Sequence, residues 1–276
     1  MMQPYKEFQE RFKLLAKKKK HLIVTTVSNI FTMRLIGNKT HGDLAEIGIT
    51  EFINQFMYDY KSTHVGKARY RAKTHEEDIS IINEITQKEF LVSLKAYGDG
   101  PLQLSTDKNA KMFASLEQMG KTEITVKSDI ENIFDSKAFS EIKKLNVMAL
   151  IYNEKQKRCN IMVFDYDRAK QATRKIVRLQ EGKRRKHPIY TFLDEMGRYI
   201  CEVRYGSATA NALQRGLWTH TKRASEYFTS LTNGWIDYTE NMTLVRLLSL
   251  ALNASEKGHQ EAVSVLQEDI EQLKKQ

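Results

Sequence analysis

Between Ile79 and Lys95 two runs of β-branched and apolar residues, Ile79–Ile82 and Phe90–Lys95, flank the polar connector Asn83–Glu89. Apolar runs bounded by a polar cluster predict a β-hairpin. The pattern recurs at Val147–Tyr152 and Cys159–Phe164 about Asn153–Arg158, and again at Ile189–Leu193 and Arg198–Tyr205 about a turn at Asp194–Gly197. Helical spacing appears at Tyr5, Phe8, Phe12, Leu15 and Ala16, and over Asp43–Tyr58, where Leu44, Ile47, Phe52 and Phe56 mark the stripe and Asp43 the N-cap. Lys108–Met119, Lys137–Lys144, Met242–Asn253 and Glu256–Lys274 read as further helices, and Gly98-Asp99-Gly100-Pro101 as a turn before a short strand at Leu102–Leu104. His21–Leu35 is apolar without a period that separates helix from strand.

Helix, hairpin, strand, helix, strand in that order predicts an α/β fold, a mixed sheet with helices on its faces. We expect residues 1–170 to form the core with its N-terminal helix. Residues 171–276 would add a basic segment, a second hairpin and C-terminal helices, packed with the core as one unit. Composition agrees: 41% of the 276 residues are hydrophobic and only 3 are proline, enough to bury a core. The N-terminal stretch carries Glu7, Glu10 and a lysine run instead of a signal peptide's apolar centre, and no stretch approaches a membrane span. Cys159 and Cys201 lie far apart without metal-type spacing and read as reduced, structural residues of a cytoplasmic protein.

The formal charge of +10, with a pI near 9.4, favours a polyanionic partner, because basic side chains on nucleic acid release condensed counterions. The run Lys17–Lys20 reads equally as a solvated helix end or a phosphate contact.

The first hairpin also carries ionisable groups. Asp78 opens its first strand and Lys95 closes its second, so the two should be neighbours, and Ser93, two before Lys95, should share its face. Carboxylate, hydroxyl and ammonium then stand together. This arrangement resembles the PD-(D/E)xK nuclease superfamily, and type II restriction endonucleases in particular. The resemblance rests on Glu77-Asp78 followed by Ser93-Leu94-Lys95, with Glu77 in the place of proline and Ser93 in the place of the acidic residue, an S-x-K variant.

The resemblance implies a restriction-endonuclease-like core and Mg²⁺-dependent, sequence-specific hydrolysis of double-stranded DNA. Mn²⁺ would substitute, the assembly would be a homodimer, and no small-molecule cofactor would take part. Asp78 would be the principal metal ligand and the Leu94 carbonyl a further one, with Lys95 orienting water. Glu46 would supply the carboxylate that Ser93 lacks, from the helix before the hairpin. Glu46 also has the spacing of a capping box with Asp43, and both roles stand. Asp107 is a further candidate carboxylate. Asp194, Glu202 and Arg204 imitate the motif elsewhere, but arginine stays protonated and cannot exchange a proton with water.

Four segments suit DNA contacts. His64–Lys73 holds Arg69 and Arg71 about Tyr70, and Arg168–Lys186 ends in Lys183-Arg184-Arg185-Lys186. The second hairpin, with Arg204 and Tyr205 and with Tyr190, Phe192 and Tyr199, reads as a ribbon in a groove or as a sheet edge. Asn211, Gln214, Arg215, Thr219, His220 and Lys222 follow, with Thr221 and Arg223, and read as base and phosphate contacts or as a polar helix surface. Two other readings remain: a non-catalytic nucleic-acid-binding protein, and a structure-selective repair nuclease on the same core.

Overall fold

In the computed structural model, residues 3–36, 40–65, 77–98, 100–106, 111–140, 142, 145–179, 187–205, 215–252 and 256–274 are described. Among them the fold is mixed α/β. Three helices come first: α1 (Pro4–Lys18), α2 (Lys20–Ile36) and α3 (His41–Phe56). The stretch that sequence left undecided is therefore helix. It lacks a clear period because Ile23, Val27, Ile30 and Phe31 are buried while Ser28 and Thr32, also buried, hold later chain. The Ser28 and Thr32 hydroxyls accept the Thr239 and Asn241 amides.

Strands β1 (Tyr60–His64), β2 (Ile79–Asn83) and β3 (Lys88–Tyr97) form an antiparallel meander. β3 then pairs in parallel with β6 (Val147–Asn153), which turns back into β7 (Arg158–Phe164). β12 (Phe228–Ser230) and β13 (Ile236–Asp237) both add to β7, completing a first, mixed sheet. Its two tight hairpins use one local solution. Asn83 and Asn153 each accept turn amides on the side-chain oxygen, and Gln87 and Lys157 take positive φ at the turn's end.

The link from β3 to β6 leaves the first sheet. β4 (Leu102–Thr106), which sequence placed after the hairpin, joins a second sheet, followed by α4 (Lys111–Glu117), β5 (Glu123–Ile124), α5 (Lys127–Asp135) and α6 (Lys137–Ser140). After α7 (Tyr166–Ala172), β8 (Lys175–Leu179), β9 (Ile189–Leu193), β10 (Tyr199–Tyr205) and β11 (Arg215–Thr219) complete that sheet in the order β4-β11-β10-β9-β8-β5. Chain therefore crosses residue 170 in both directions: β4 and β5 come from before it, while β12 and β13 return to the first sheet from beyond it. Helices α8 (Met242–Leu252) and α9 (Glu256–Lys274) pack on each other, and α8 packs on α2.

Alternation along the strands divides the interior. Ile79, Ile81, Val92, Leu94, Met148 and Leu150 pack under α1–α3 with Phe8, Phe12, Ile49 and Phe52. Ala149, Ile151 and Met162, on the opposite face, share a second core with Phe134, Phe139, Tyr190, Phe192 and Leu217. No helix among the described residues is long and apolar enough to cross a membrane.

Candidate active site

The first hairpin ends where β2 parts from β3. Ile79 lies opposite Val92, and the Asp78 amide still donates to the Val92 carbonyl at 3.0 Å. Beyond that rung the backbone of β2 gives way to a side chain. Asp78 Oδ2 accepts the Leu94 amide at 2.6 Å and the Ser93 hydroxyl at 3.1 Å. Lys95 stands close enough for its charge to act on the same carboxylate. Burial pushes the Asp78 carboxyl above its ordinary value; Lys95, the Leu94 amide and the Ser93 hydroxyl pull it back in part, and Glu77 adds to the rise.

Ser93 and Lys95 lie opposite Val147 and Ala149 in the parallel register, and so share the face turned toward the second core. Leu94 points the other way, into the core under α1–α3. The Ser93 amide donates toward β6, to Asn146 O at 2.8 Å. By strand alternation the polar backbone groups of Leu94 face the edge that β2 has vacated. The Asp78 carboxylate and the Leu94 carbonyl therefore share one open edge. Both hydrogen bonds to Asp78 end on Oδ2.

Glu46 is half-buried on α3. The capping box of that helix is formed by Thr40 and Asp43: the Asp43 amide donates to Thr40 Oγ1, and the Thr40 amide to Asp43 Oδ2, both at 3.2 Å. The expected box of Asp43 with Glu46 is thus replaced by one a turn earlier, because threonine at 40 completes the reciprocal pair first. His41 stacks on Tyr152 at one end of α3, and Asn54 hydrogen-bonds the Ser62 backbone near the other. The helix so crosses from the end of β6 to the middle of β1, with Glu46 between them. It packs on the Leu94 face of β3, opposite Ser93 and Lys95.

Oxygen donors alone, from Asp78 and Leu94, suit Mg²⁺ or Mn²⁺, which keep several waters. Among the described residues, no group of three or more His, Cys, Asp or Glu side chains gathers elsewhere or here. An ion would therefore rest on few protein ligands. The imitation motif falls apart. Asp194 closes a turn, accepting the Met196 and Arg198 amides, the Arg198 guanidinium and the Tyr227 hydroxyl, while Glu202 pairs with Arg204.

β9 and β10 lie inside the second sheet, as neither a free ribbon nor an edge, and Tyr190, Phe192 and Tyr199 are core residues. Arg204 is buried, 2.6 Å from Glu202 and stacked over Trp218. Thr219 is buried and donates to the Ile200 carbonyl at 2.8 Å. His220 is half-buried edge-on to Tyr199, and burial lowers its pKa. Lys222 is exposed. These last residues follow a strand and a turn, where sequence allowed a helix. Arg69, Arg71, Asp107, Lys183, Arg184, Arg185, Asn211 and Gln214 lie outside the described residues, as do the side chains of Tyr205 and Arg215. The strand ends Thr106, Leu179, Ile189, Tyr205 and Arg215 fall at one end of the second sheet by register.

No family model, curated protein or solved structure matches the chain.

Proposed function

We propose that this protein is a Mg²⁺-dependent, sequence-specific endonuclease for double-stranded DNA, of the type II restriction class and active as a homodimer. The observation that carries the reading is the Asp78 carboxylate, held by the Leu94 amide and Ser93 hydroxyl beside Lys95 at the opened edge of β3. The order α3, meander, crossover and parallel β6 supports a restriction-endonuclease-like core. The basic excess supports a DNA partner.

Asp78, the Leu94 carbonyl and Glu46 would hold the ion. Bound there, Mg²⁺ would lower the pKa of a water and polarise the phosphoryl group. Ser93 fixes the carboxylate and is not itself a ligand in this reading. Lys95, on the same face as Ser93, orients the attacking water and meets negative charge as it develops on the phosphate.

Digestion of phage DNA with Mg²⁺, beside a control with EDTA, tests the proposal. Discrete fragments that vanish with EDTA are expected. Salt-dependent binding without cleavage would replace it with the non-catalytic reading, and cutting confined to flaps or junctions with the repair-nuclease reading.

A further inference from the structure

β3 changes partners in mid-strand. Lys88–Val92 pairs with β2, Ser93–Tyr97 with β6, and β6 begins only at Val147. The Leu91 carbonyl faces the β6 side one rung before that strand starts. Asn146 supplies the missing rung. Its Nδ2 donates to the Leu91 carbonyl and its own carbonyl accepts the Ser93 amide, both at 2.8 Å. One residue thus grips two positions of β3, two apart on the same backbone edge.

This grip matters because strand register decides faces. A slip of one residue between β3 and β6 would turn Met148 and Ala149 to the wrong cores and strain the β3 backbone between Leu91 and Lys95. We propose that Asn146 is a positioning residue for the candidate active site, holding the β3 backbone at Leu91 and Ser93, where the strand leaves β2 and its next residues meet Asp78. The catalytic consequence rests on the nuclease reading; the structural one rests on the two hydrogen bonds. The side chain must be an amide of this length. Alanine leaves the Leu91 carbonyl without its donor, and aspartate sets a carboxylate against it. Asn146 borders a cavity of about 270 Å³ between α1, β6 and β7, with Gln9, Val147 and Thr229 in its wall. Removing the side chain enlarges that cavity toward β3, and the fold should survive the substitution.

The test compares Asn146→Ala and Asn146→Asp with Asn153→Ala, which removes the side-chain acceptor of the β6–β7 turn at the end of β6 away from Ser93. With Mg²⁺, kcat should fall by about 100-fold in the Asn146 variants, as for a misplaced catalytic group. KM for DNA should stay within about twofold, since uniform binding is untouched. Hydrogen exchange at the Ser93 and Leu94 amides should accelerate while the β2 amides keep their protection. Asn153→Ala should melt earlier with kcat unchanged. An unaltered kcat in the Asn146 variants, or an equal loss in Asn153→Ala, overturns the catalytic role. If the wild-type protein cuts no DNA, the nuclease reading fails by itself, and amide exchange still decides the clamp: unchanged protection of Ser93 and Leu94 overturns it.

Discussion

The Asp78 carboxylate accepts the Leu94 amide at 2.6 Å, in the place where the ladder of β2 and β3 would otherwise put a backbone carbonyl. That bond alone would suit a structural cap, but the charge does not. Burial raises the Asp78 pKa above its unfolded value. The folded state therefore binds the proton more tightly, and the ionised carboxylate is a stability cost at neutral pH. Asp78→Asn keeps an acceptor for Leu94 and drops the charge. It should raise Tm at pH 7, and the gain should close as pH falls through the carboxylate range, where the wild-type side chain is neutral in both states. Cleavage should be lost throughout. Asp78→Ala, which removes the acceptor, should lose about 1–3 kcal/mol. Thermal melts at several pH values check both, and a lower Tm for Asp78→Asn at pH 7 would favour the structural cap.

Lys95→Ala should lower the cleavage rate by about 10²–10³-fold, the usual effect of removing a donor aimed at developing charge. DNA binding measured with Ca²⁺ should persist. Wild-type turnover in this variant would remove Lys95 from the site.

With the α3 cap assigned to Thr40 and Asp43, the two roles of Glu46 separate cleanly. Thr40→Ala should cost about 1 kcal/mol with cleavage intact. Glu46→Ala should eliminate cleavage, and Ser93→Ala should retain part of it. Melting curves read beside digestion rates decide the matter; a Glu46→Ala protein that cuts normally takes the residue out of the proposed ligand set.

Arg204 is committed to Glu202 and Trp218, and breaking a buried pair is costly. Arg204→Ala should destabilise the fold by about 3–5 kcal/mol. Lys222→Ala should instead weaken binding to every sequence alike and flatten the salt slope by about one unit. Gln214→Ala should cost about 1–3 kcal/mol of discrimination against single-base variants. Competitive binding with Ca²⁺ at two salt concentrations distinguishes these effects.

Asp194 belongs to a turn, and its substitution should touch stability alone. Burial pushes its carboxyl up, but the Arg198 amide and guanidinium and the Tyr227 hydroxyl outweigh that and leave the pKa below the usual range. Its contribution is therefore present above the unfolded carboxylate pKa and lost as pH falls through the lower folded value. Asp194→Asn should melt earlier than wild type at pH 7, with a gap that narrows in acid and unchanged cleavage. Loss of cleavage at matched stability would revive the second motif.

Local order was legible in the chain itself. Both hairpins of the first sheet follow from apolar runs flanking a polar connector and from an asparagine that bonds its own turn, and these interactions span only a few residues. The neighbouring places of Asp78 and Lys95 follow from the same short range, since pairing across a tight hairpin is set by the turn. Other outcomes were decided only when distant chain arrived. α2 shows no clear period because buried residues lie around much of it, some in the core and some against the segment before α8. Thr40 and Asp43 both had the chemistry of a cap, and the tertiary placement of His41 against Tyr152 accompanies the earlier start. β4 carries no mark of which sheet it joins, because its partner β11 lies more than a hundred residues on. Arg204 looks in sequence like a base-reading arginine. Trp218, on the adjacent strand, and the burial of Glu202 made it a core residue, because a charge taken from water needs its partner and its stacking surface at once.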